Sequence, residues 1–427
     1  MLKVILLAMP DSVPGFDVAT FIPNLGITSL AGNIDERICD IKVADLVLVK
    51  RKFKSYVENL LREHSPDIVG LSCMSFQYRS AITLARLIKD YNKNIMVVLG
   101  GYHPTLMYKE ISESPESNFI DFIVRGEGEA TFRELINNIY SGKGYEDIPG
   151  LSYKANGYFY HNKQRSLLSL SEVELPKRDA RLLTEGFHSF GLKADAIETS
   201  RGCTNNCKFC SINHMYGRSF RKYDISRVIA DIKDASKHGA KALGIMDDNI
   251  TLDLERFETL CDAIISAKLN HIHYSVQASV RGIAHSEKLV KKMADAGIKL
   301  VFLGIESVSK SGLDFLGKSH MTNDQTKKAV KYLRDNGIIC AGGLILGNPD
   351  DDENSFWNIF DVASDLRIDI PLFFILTPHA KTEIRDELLA QGLVTNPDDF
   401  STYNGFLSEN SYVVLIFLQK VLLMAQR

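Results

Sequence analysis

The chain carries no block of lysine and arginine, and its 50 basic residues against 53 acidic ones leave a net charge of −3. Nothing in that balance suits a nucleic-acid backbone, so a small molecule or a protein is the expected partner. No apolar run reaches the roughly 20 residues that a spanning helix needs. The opening stretch, Met1 to Pro10, is short and lacks a small-residue cleavage pattern, so it reads as a first buried strand and the protein is expected in the cytoplasm. The apolar tail Tyr412 to Leu418 is broken by Gln419 and Lys420 and reads as a helix packed on its domain. A disulfide framework is missing too: of seven cysteines, three crowd one loop, while Cys39, Cys73, Cys261 and Cys340 lie scattered in apolar segments as inert side chains. Residues 1–63 hold no histidine, and no G-x-G-x-x-G follows the first strand, which weakens a dinucleotide reading.

What is present is alternation. A chain of 427 residues is too long for one core, so two or more domains are expected. From residue 1 to 140, continuous Val/Ile/Leu strands at Val4–Met9, Lys42–Leu48, Ile68–Cys73, Ile95–Gly100 and Phe122–Arg125 alternate with helical patterns, which describes a doubly wound, Rossmann-like parallel sheet. A ligand then belongs at the carboxyl ends of the strands, where Ser72, Met74 and Phe76, then Gly100, Gly101 and His103, then Glu127 stand. The glycines there equally suit ordinary turns, and the His103 ring equally suits a partner in its own turn. Residues 141–190, with Gly142, Gly144, Pro149, Gly150, Gly157 and Pro176, read as a hairpin and linker. Six further strands, Ala194–Thr199, Ala242–Met246, His273–Ala278, Leu300–Gly304, Ala341–Leu346 and Pro371–Leu376, separated by helices, make an incomplete (β/α)6 barrel over 191–385, followed by a short C-terminal region over 386–427.

At the end of the first barrel strand comes Glu198-Thr-Ser-Arg-Gly-Cys203-Thr-Asn-Asn-Cys207-Lys-Phe-Cys210. Three thiolates at C-x3-C-x2-C spacing hold three corners of an iron–sulfur cubane and leave the fourth iron open to something else. A Cys3His zinc knuckle using His214 is the bland alternative, although zinc ligands usually come as two separated pairs. With an aromatic, Phe209, before the last cysteine, this loop resembles that of the radical S-adenosylmethionine (SAM) superfamily. The resemblance implies that Cys203, Cys207 and Cys210 bind a 4Fe-4S cluster whose free iron chelates SAM. The strand ends that follow resemble that superfamily's SAM-binding segments: Asp247 and Asp248, Gln277, Arg281, Glu306 and Ser307, and the stretch from Gly343 to Leu346. For the acidic pair a merely solvated loop is the competing reading.

Pro23-x-Leu25-Gly26, Gly100-Gly101-x-His103-Pro104 and Arg125-Gly126-Glu127-Gly128-Glu129, in this order before a cluster loop, resemble the cobalamin-binding domain in front of many radical SAM enzymes. Because no histidine precedes residue 64, the resemblance implies a cobalamin without a protein histidine as lower ligand, its lower face meeting water or a non-ligating side chain, to be sought among Met74, Phe76, Gln77 and Tyr78. A cobalamin-dependent radical SAM C-methyltransferase is implied: the cluster cleaves SAM to a 5′-deoxyadenosyl radical, and methylcobalamin methylates an unactivated carbon in a cavity between the domains. The alternatives are a cyclase or rearrangement enzyme without net methylation and a non-catalytic cobalamin- or metal-binding protein. A methylthiotransferase fits poorly, since only Cys39 and Cys73 precede the loop. An electron donor such as a ferredoxin or flavodoxin is the implied partner, and Tyr216 is the candidate for a catalytic side chain. The usual Pro-Gly-Thr after the sixth strand is Ala380-Lys381-Thr382 here, and the short end of the chain favours a flat or peptide-like substrate.

Overall fold

The computed structural model describes residues 1–12 and 20–405, and the tail helix expected at Tyr412–Leu418 lies outside them. The chain divides into two compact units, Met1–Lys193 and the residues from Ala194 onward.

In the first unit, β1 (Leu2–Ala8), β2 (Cys39–Asp45), β3 (Ile68–Ser72), β4 (Met96–Gly100) and β5 (Phe122–Val124) form a parallel sheet in the order β2-β1-β3-β4-β5. Alternation along β1 sends Val4, Leu6 and Ala8 to one core and Ile5 and Leu7, with Met9 just beyond the strand, to the other. Both faces are therefore buried: α1 (Leu25–Gly32) and α5 (Gly128–Ser141) supply Ile27, Ala31, Phe132 and Leu135 to the first core, while α2 (Phe53–His64), α3 (Tyr78–Tyr91) and α4 (Tyr102–Glu113) supply Val57, Leu61, Ala85, Ile88 and Ile111 to the second. This is a doubly wound sheet whose order changes direction between β1 and β3, and a ligand belongs at that switch point.

Two expectations shift. The second strand ends at Asp45 rather than Leu48, because the Asp45 carboxylate accepts the Val47 and Asn24 amides and starts a 3-10 turn over Leu46–Lys52. The apolar run Leu46-Val-Leu-Val imitates a strand locally. The hairpin β6 (Leu151–Ala155) and β7 (Tyr158–His161) is part of the first sheet, with Phe122 pairing antiparallel to Tyr153.

In the second unit, β8 (Leu192–Ile197), β9 (Ala242–Ile245), β10 (His273–Ser279), β11 (Ile298–Glu306), β12 (Ile339–Leu346) and β13 (Ile370–Ile375) are parallel neighbours in sequence order. β8 and β13 do not pair with each other, so the six strands form an open part-barrel. Between and after them run α6 (Ile225–Lys237), α7 (Leu254–Ser266), α8 (Val280–His285), α9 (Glu287–Asp295), α10 (Lys310–Phe315), α11 (Asn323–Asp335), α12 (Glu353–Asp365) and α13 (Glu383–Ala390). Thr382 caps α13 by accepting the Arg385 amide, and the preceding Lys381 is held at φ +62°, the conformation that glycine of a Pro-Gly-Thr turn adopts freely. The turn survives without its glycine. Among the described residues no helix is long and apolar enough to cross a membrane.

Candidate active site

At the carboxyl ends of the second unit's strands lies a cavity of about 450 Å³. Cys203, Cys207 and Cys210 all line it, together with Phe209, Asp248, Gln277 and Glu306. The three thiols are free and partly accessible, whereas Cys39, Cys73, Cys261 and Cys340 are buried. Burial raises the ionisation of all three above the ordinary thiol range, that of Cys210 to about 12, so taking up iron must release their protons. Three soft donors on one loop, facing one cavity, suit three corners of an iron–sulfur cubane. Among the described residues no three His, Cys, Asp or Glu side chains, these cysteines included, stand close enough together to share a single metal ion.

The loop is held from several sides. The Glu198 carboxylate pairs with Arg201 at 2.5 Å and accepts the Tyr223 hydroxyl at 2.7 Å. Gly202, at φ +89°, donates its amide to Asp248 at 2.8 Å, and a Cβ there would lie 2.4 Å from the Ser219 carbonyl oxygen, so only glycine fits. Lys208 donates its amide to the Leu316 carbonyl, accepts the Ile384 amide, and places its ammonium 2.7 Å from Glu387 and 3.2 Å from Glu383.

Glu306 ends β11 at a register shift and at φ +65°, a conformation a non-glycine residue holds only where its surroundings force it. The kink turns its carboxylate to Lys318, whose ammonium lies 2.7 Å away, with the two side chains 12% and 11% exposed. Gly304 makes room for this: a Cβ there would meet Glu306 Oε1 at 2.5 Å and Lys318 Nζ at 3.3 Å. Lys318 also lines the cavity, and its ammonium stands 5.9 Å from the Phe209 ring centre. Sequence reasoning missed it, since it sits in the loop after α10 with no motif around it. His379 was missed as well. It lines the same cavity, and burial pulls its ionisation down to about 4, so its ring is neutral.

Other expected residues fall elsewhere. Asp247 is completely buried and turned away from the cavity toward Thr199 and Ser200. Arg281 is exposed on α8, and Ser307, Gly343 and Leu346 are absent from the cavity wall. Gly343 instead leaves room for two rings, because a Cβ on it would lie 2.8 Å from Phe302 Cζ. Phe302 and Phe374 then meet edge to face, 6.2 Å between centres, as part of the wall. Tyr216 lies outside the wall, its ring under the Arg221 guanidinium.

In the first unit, Ser72 ends β3 and Gly100 ends β4. Gly101 at φ +95° lets the two strand ends close up, since a Cβ on it would lie 2.9 Å from the Cys73 backbone. Met74 stands 45% exposed beyond β3 and Phe76 half-buried beside it. Gln77 is tied to the Met74 amide and the Asp11 carbonyl, and Tyr78 packs on His103. His103 itself is 2% exposed, with Nδ1 3.2 Å from the Ser75 hydroxyl, and burial draws its ionisation down to about 4. Its ring is a support of the loop and not an available ligand. Glu127 accepts the Leu168 amide at 2.9 Å, and Arg125 donates to the Leu151 and Asn162 carbonyls, so this motif braces the hairpin region. What remains turned outward at the strand ends is Met74, Phe76 and the glycine-lined backbone, surfaces suited to a large flat cofactor.

Comparison with known proteins agrees with both halves. The B12 binding domain family matches residues 12–136, and the Radical SAM superfamily matches residues 197–363. A protein of Pyrococcus horikoshii named as uncharacterised methyltransferase PH0819 is 33% identical over 395 residues, covering 91% of this chain and 84% of that one. The anaerobic magnesium-protoporphyrin IX monomethyl ester cyclase of Rubrivivax gelatinosus is 26% identical, over 84% of this chain and 65% of its own length. Among solved structures, the radical SAM methyltransferase TsrM of Kitasatospora setae, with cobalamin and a 4Fe-4S cluster bound, superposes with a TM-score of 0.74 at 18% identity, covering 92% of this chain and 79% of that one. The cobalamin-dependent SAM radical enzyme OxsB, with aqua-cobalamin and SAM bound, does so with a TM-score of 0.70 at 20% identity over 98% and 61%. With both domain families matched in order and a relative a third identical along almost the whole length, the chain belongs to the cobalamin-binding radical SAM enzymes, whose cofactors are cobalamin, a 4Fe-4S cluster and SAM.

Proposed function

We propose that this chain is a cobalamin-dependent radical SAM C-methyltransferase. The observation that carries the reading is the convergence of Cys203, Cys207 and Cys210 on one cavity that also holds a buried Glu306–Lys318 pair. Bound there, the cluster and SAM supply a carbon-centred radical, and cobalamin supplies the methyl group. The chain's own residues bind and orient. Glu306 and Lys318, 2.7 Å apart, present one negative and one positive group to the ammonium and carboxylate of an amino acid. Phe302 and Phe374 keep water from one wall, and exposed Gln277 offers an amide at the mouth. In the first unit, Ser72, the Gly100–Gly101 turn, Met74 and Phe76 form the cobalamin-facing surface. Met74, exposed at this surface, would hold the corrin there, and the buried His103 would not offer it an imidazole.

Methylation is favoured over cyclisation by the name of the relative at 33% identity, while the cyclase at 26% is the reading to test against. We further propose a reduced ferredoxin or flavodoxin as electron donor and the cytoplasm as the place of action. The test is turnover of the anaerobically reconstituted chain with cobalamin and methyl-labelled SAM. A product carrying the label together with 5′-deoxyadenosine supports methylation. 5′-Deoxyadenosine with an unlabelled, rearranged product supports the cyclase, and formation of neither leaves a binding protein.

A further inference from the structure

The two adjacent acids after β9 point in different directions and do different things. Asp248 lines the cavity. Asp247 is 0% exposed and receives four hydrogen bonds from the chain just before the cluster loop. Its Oδ1 accepts the Thr199 amide at 2.6 Å and the Ser200 amide at 3.1 Å, and its Oδ2 accepts the Thr199 hydroxyl at 2.5 Å and the Ser200 hydroxyl at 2.6 Å. Two carboxylate oxygens offer about four lone-pair sites, so none is left over for a ligand. The opposite side of the Thr199 peptide is held as firmly: its carbonyl accepts Arg256 Nη2 at 2.9 Å and the Tyr223 amide at 3.0 Å. Three residues further on, Asp248 fixes the Gly202 amide at the position where φ is +89°.

We infer that Asp247 is a positioning residue for the iron–sulfur cluster, acting through Thr199 and Ser200 to set where Cys203 stands, and that it makes no contact with SAM. The inference rests on the reading that the three cysteines bind the cluster. From Ser200 to Cys203 the chain has only three steps, about 10 Å at full extension. A start anchored by four bonds, with Gly202 pinned between, leaves the first sulfur little freedom. Fixing a ligand through its supporting shell is what raises metal affinity, and losing such support costs about 10–100-fold.

The test uses the full chain, reconstituted anaerobically with iron and sulfide. Asp247→Asn keeps the shape and removes the charge, and Thr199→Val with Ser200→Ala removes the two hydroxyl donors from the other side. Cobalamin binding and tryptophan fluorescence report whether each variant is folded. Three quantities are read: iron affinity by chelator competition, the electron paramagnetic resonance of the reduced cluster before SAM is added, and SAM affinity of the molecules that hold a full cluster. We expect Asp247→Asn to lower iron affinity about 10-fold and to shift the SAM-free resonance, with the hydroxyl variant changing in the same direction by less. A fall in SAM affinity that accompanies the shifted resonance agrees with the inference, since the cluster is what SAM meets. Weakened SAM binding with iron affinity and resonance unchanged would overturn it, as would variants like the wild type in all three. If Asp247→Asn does not fold, the hydroxyl variant decides alone. Failure of the wild type to take up iron refutes the cluster reading itself and is told apart by that control.

Discussion

Replacing Lys318 by methionine keeps the aliphatic stem and removes the ammonium, and the structure fixes what that should cost. The ammonium lies 2.7 Å from Glu306 Oε1, with the side chains 11% and 12% exposed, so this is not a surface pair. At an effective dielectric of about 20, two unit charges at that separation attract by about 6 kcal/mol. Desolvation offsets most of this, and deleting one partner of a buried pair costs about 3–5 kcal/mol, chiefly because the other charge is left alone. Here the abandoned Glu306 carboxylate borders a cavity that admits water, which places the expectation at the low end, about 3 kcal/mol. The single tryptophan of the chain, Trp357, lies on α12 of the second unit and reports that unit's unfolding in urea. Adding Glu306→Gln should recover most of the loss, because no charge is then stranded. SAM affinity of the reconstituted chain should fall about 10–100-fold in Lys318→Met, the equivalent of the roughly 1.5–3 kcal/mol of a charge-assisted hydrogen bond. A stability change under about 0.5 kcal/mol, typical of a solvated pair, together with unaltered SAM binding would refute the reasoning.

Three other outcomes are expected. His103, whose ionisation is drawn from 6.5 to about 4 by burial, takes its proton in the unfolded chain first; its contribution is intact above pH 6.5 and is lost as pH falls toward 4. At pH 5 this amounts to about 2 kcal/mol, His103→Phe should flatten the dependence, and a ring titration midpoint near 6.5 by nuclear magnetic resonance would contradict it. Gly202→Ala meets both a left-handed φ and a carbonyl oxygen 2.4 Å from its Cβ; it should cost at least the roughly 1–3 kcal/mol of such strain and lower bound iron, as measured by metal analysis. Lys381→Gly relieves φ +62° at an exposed turn and should leave stability unchanged or raise it by up to about 1 kcal/mol, read from the same tryptophan transition.

All six strands of the part-barrel could be read from short runs between helical patterns: β9 and β12 are continuous buried apolar stretches, whereas β10, His273–Ser279, alternates exposed and buried residues with a period of two. The cysteine loop was equally legible, its chemistry being carried by local spacing. What escaped depends on chain reversals. Lys318 stands twelve residues from Glu306 and meets it only because β11 kinks at its end, and no local pattern announces a positive φ on a glutamate. Asp247 and Asp248 are neighbours in sequence with similar neighbours, yet one faces the cavity and the other the strand beside it, a distinction that exists only after β8 and β9 pair. Likewise Glu127 reads as a ligand contact from its place at a strand end. It is engaged by Leu168, as its neighbour Arg125 is by Leu151 and Asn162, more than twenty residues downstream.

The division of the seven cysteines has a practical consequence. Cys39, Cys73, Cys261 and Cys340 are at most 2% exposed, whereas the other three open on a cavity. An alkylating reagent applied to the native, iron-free chain therefore modifies three sulfurs of seven, and assembly of the cubane shields those same three. Mass spectrometry of the alkylated protein thus counts metallocentre occupancy molecule by molecule, with four silent thiols as the internal standard.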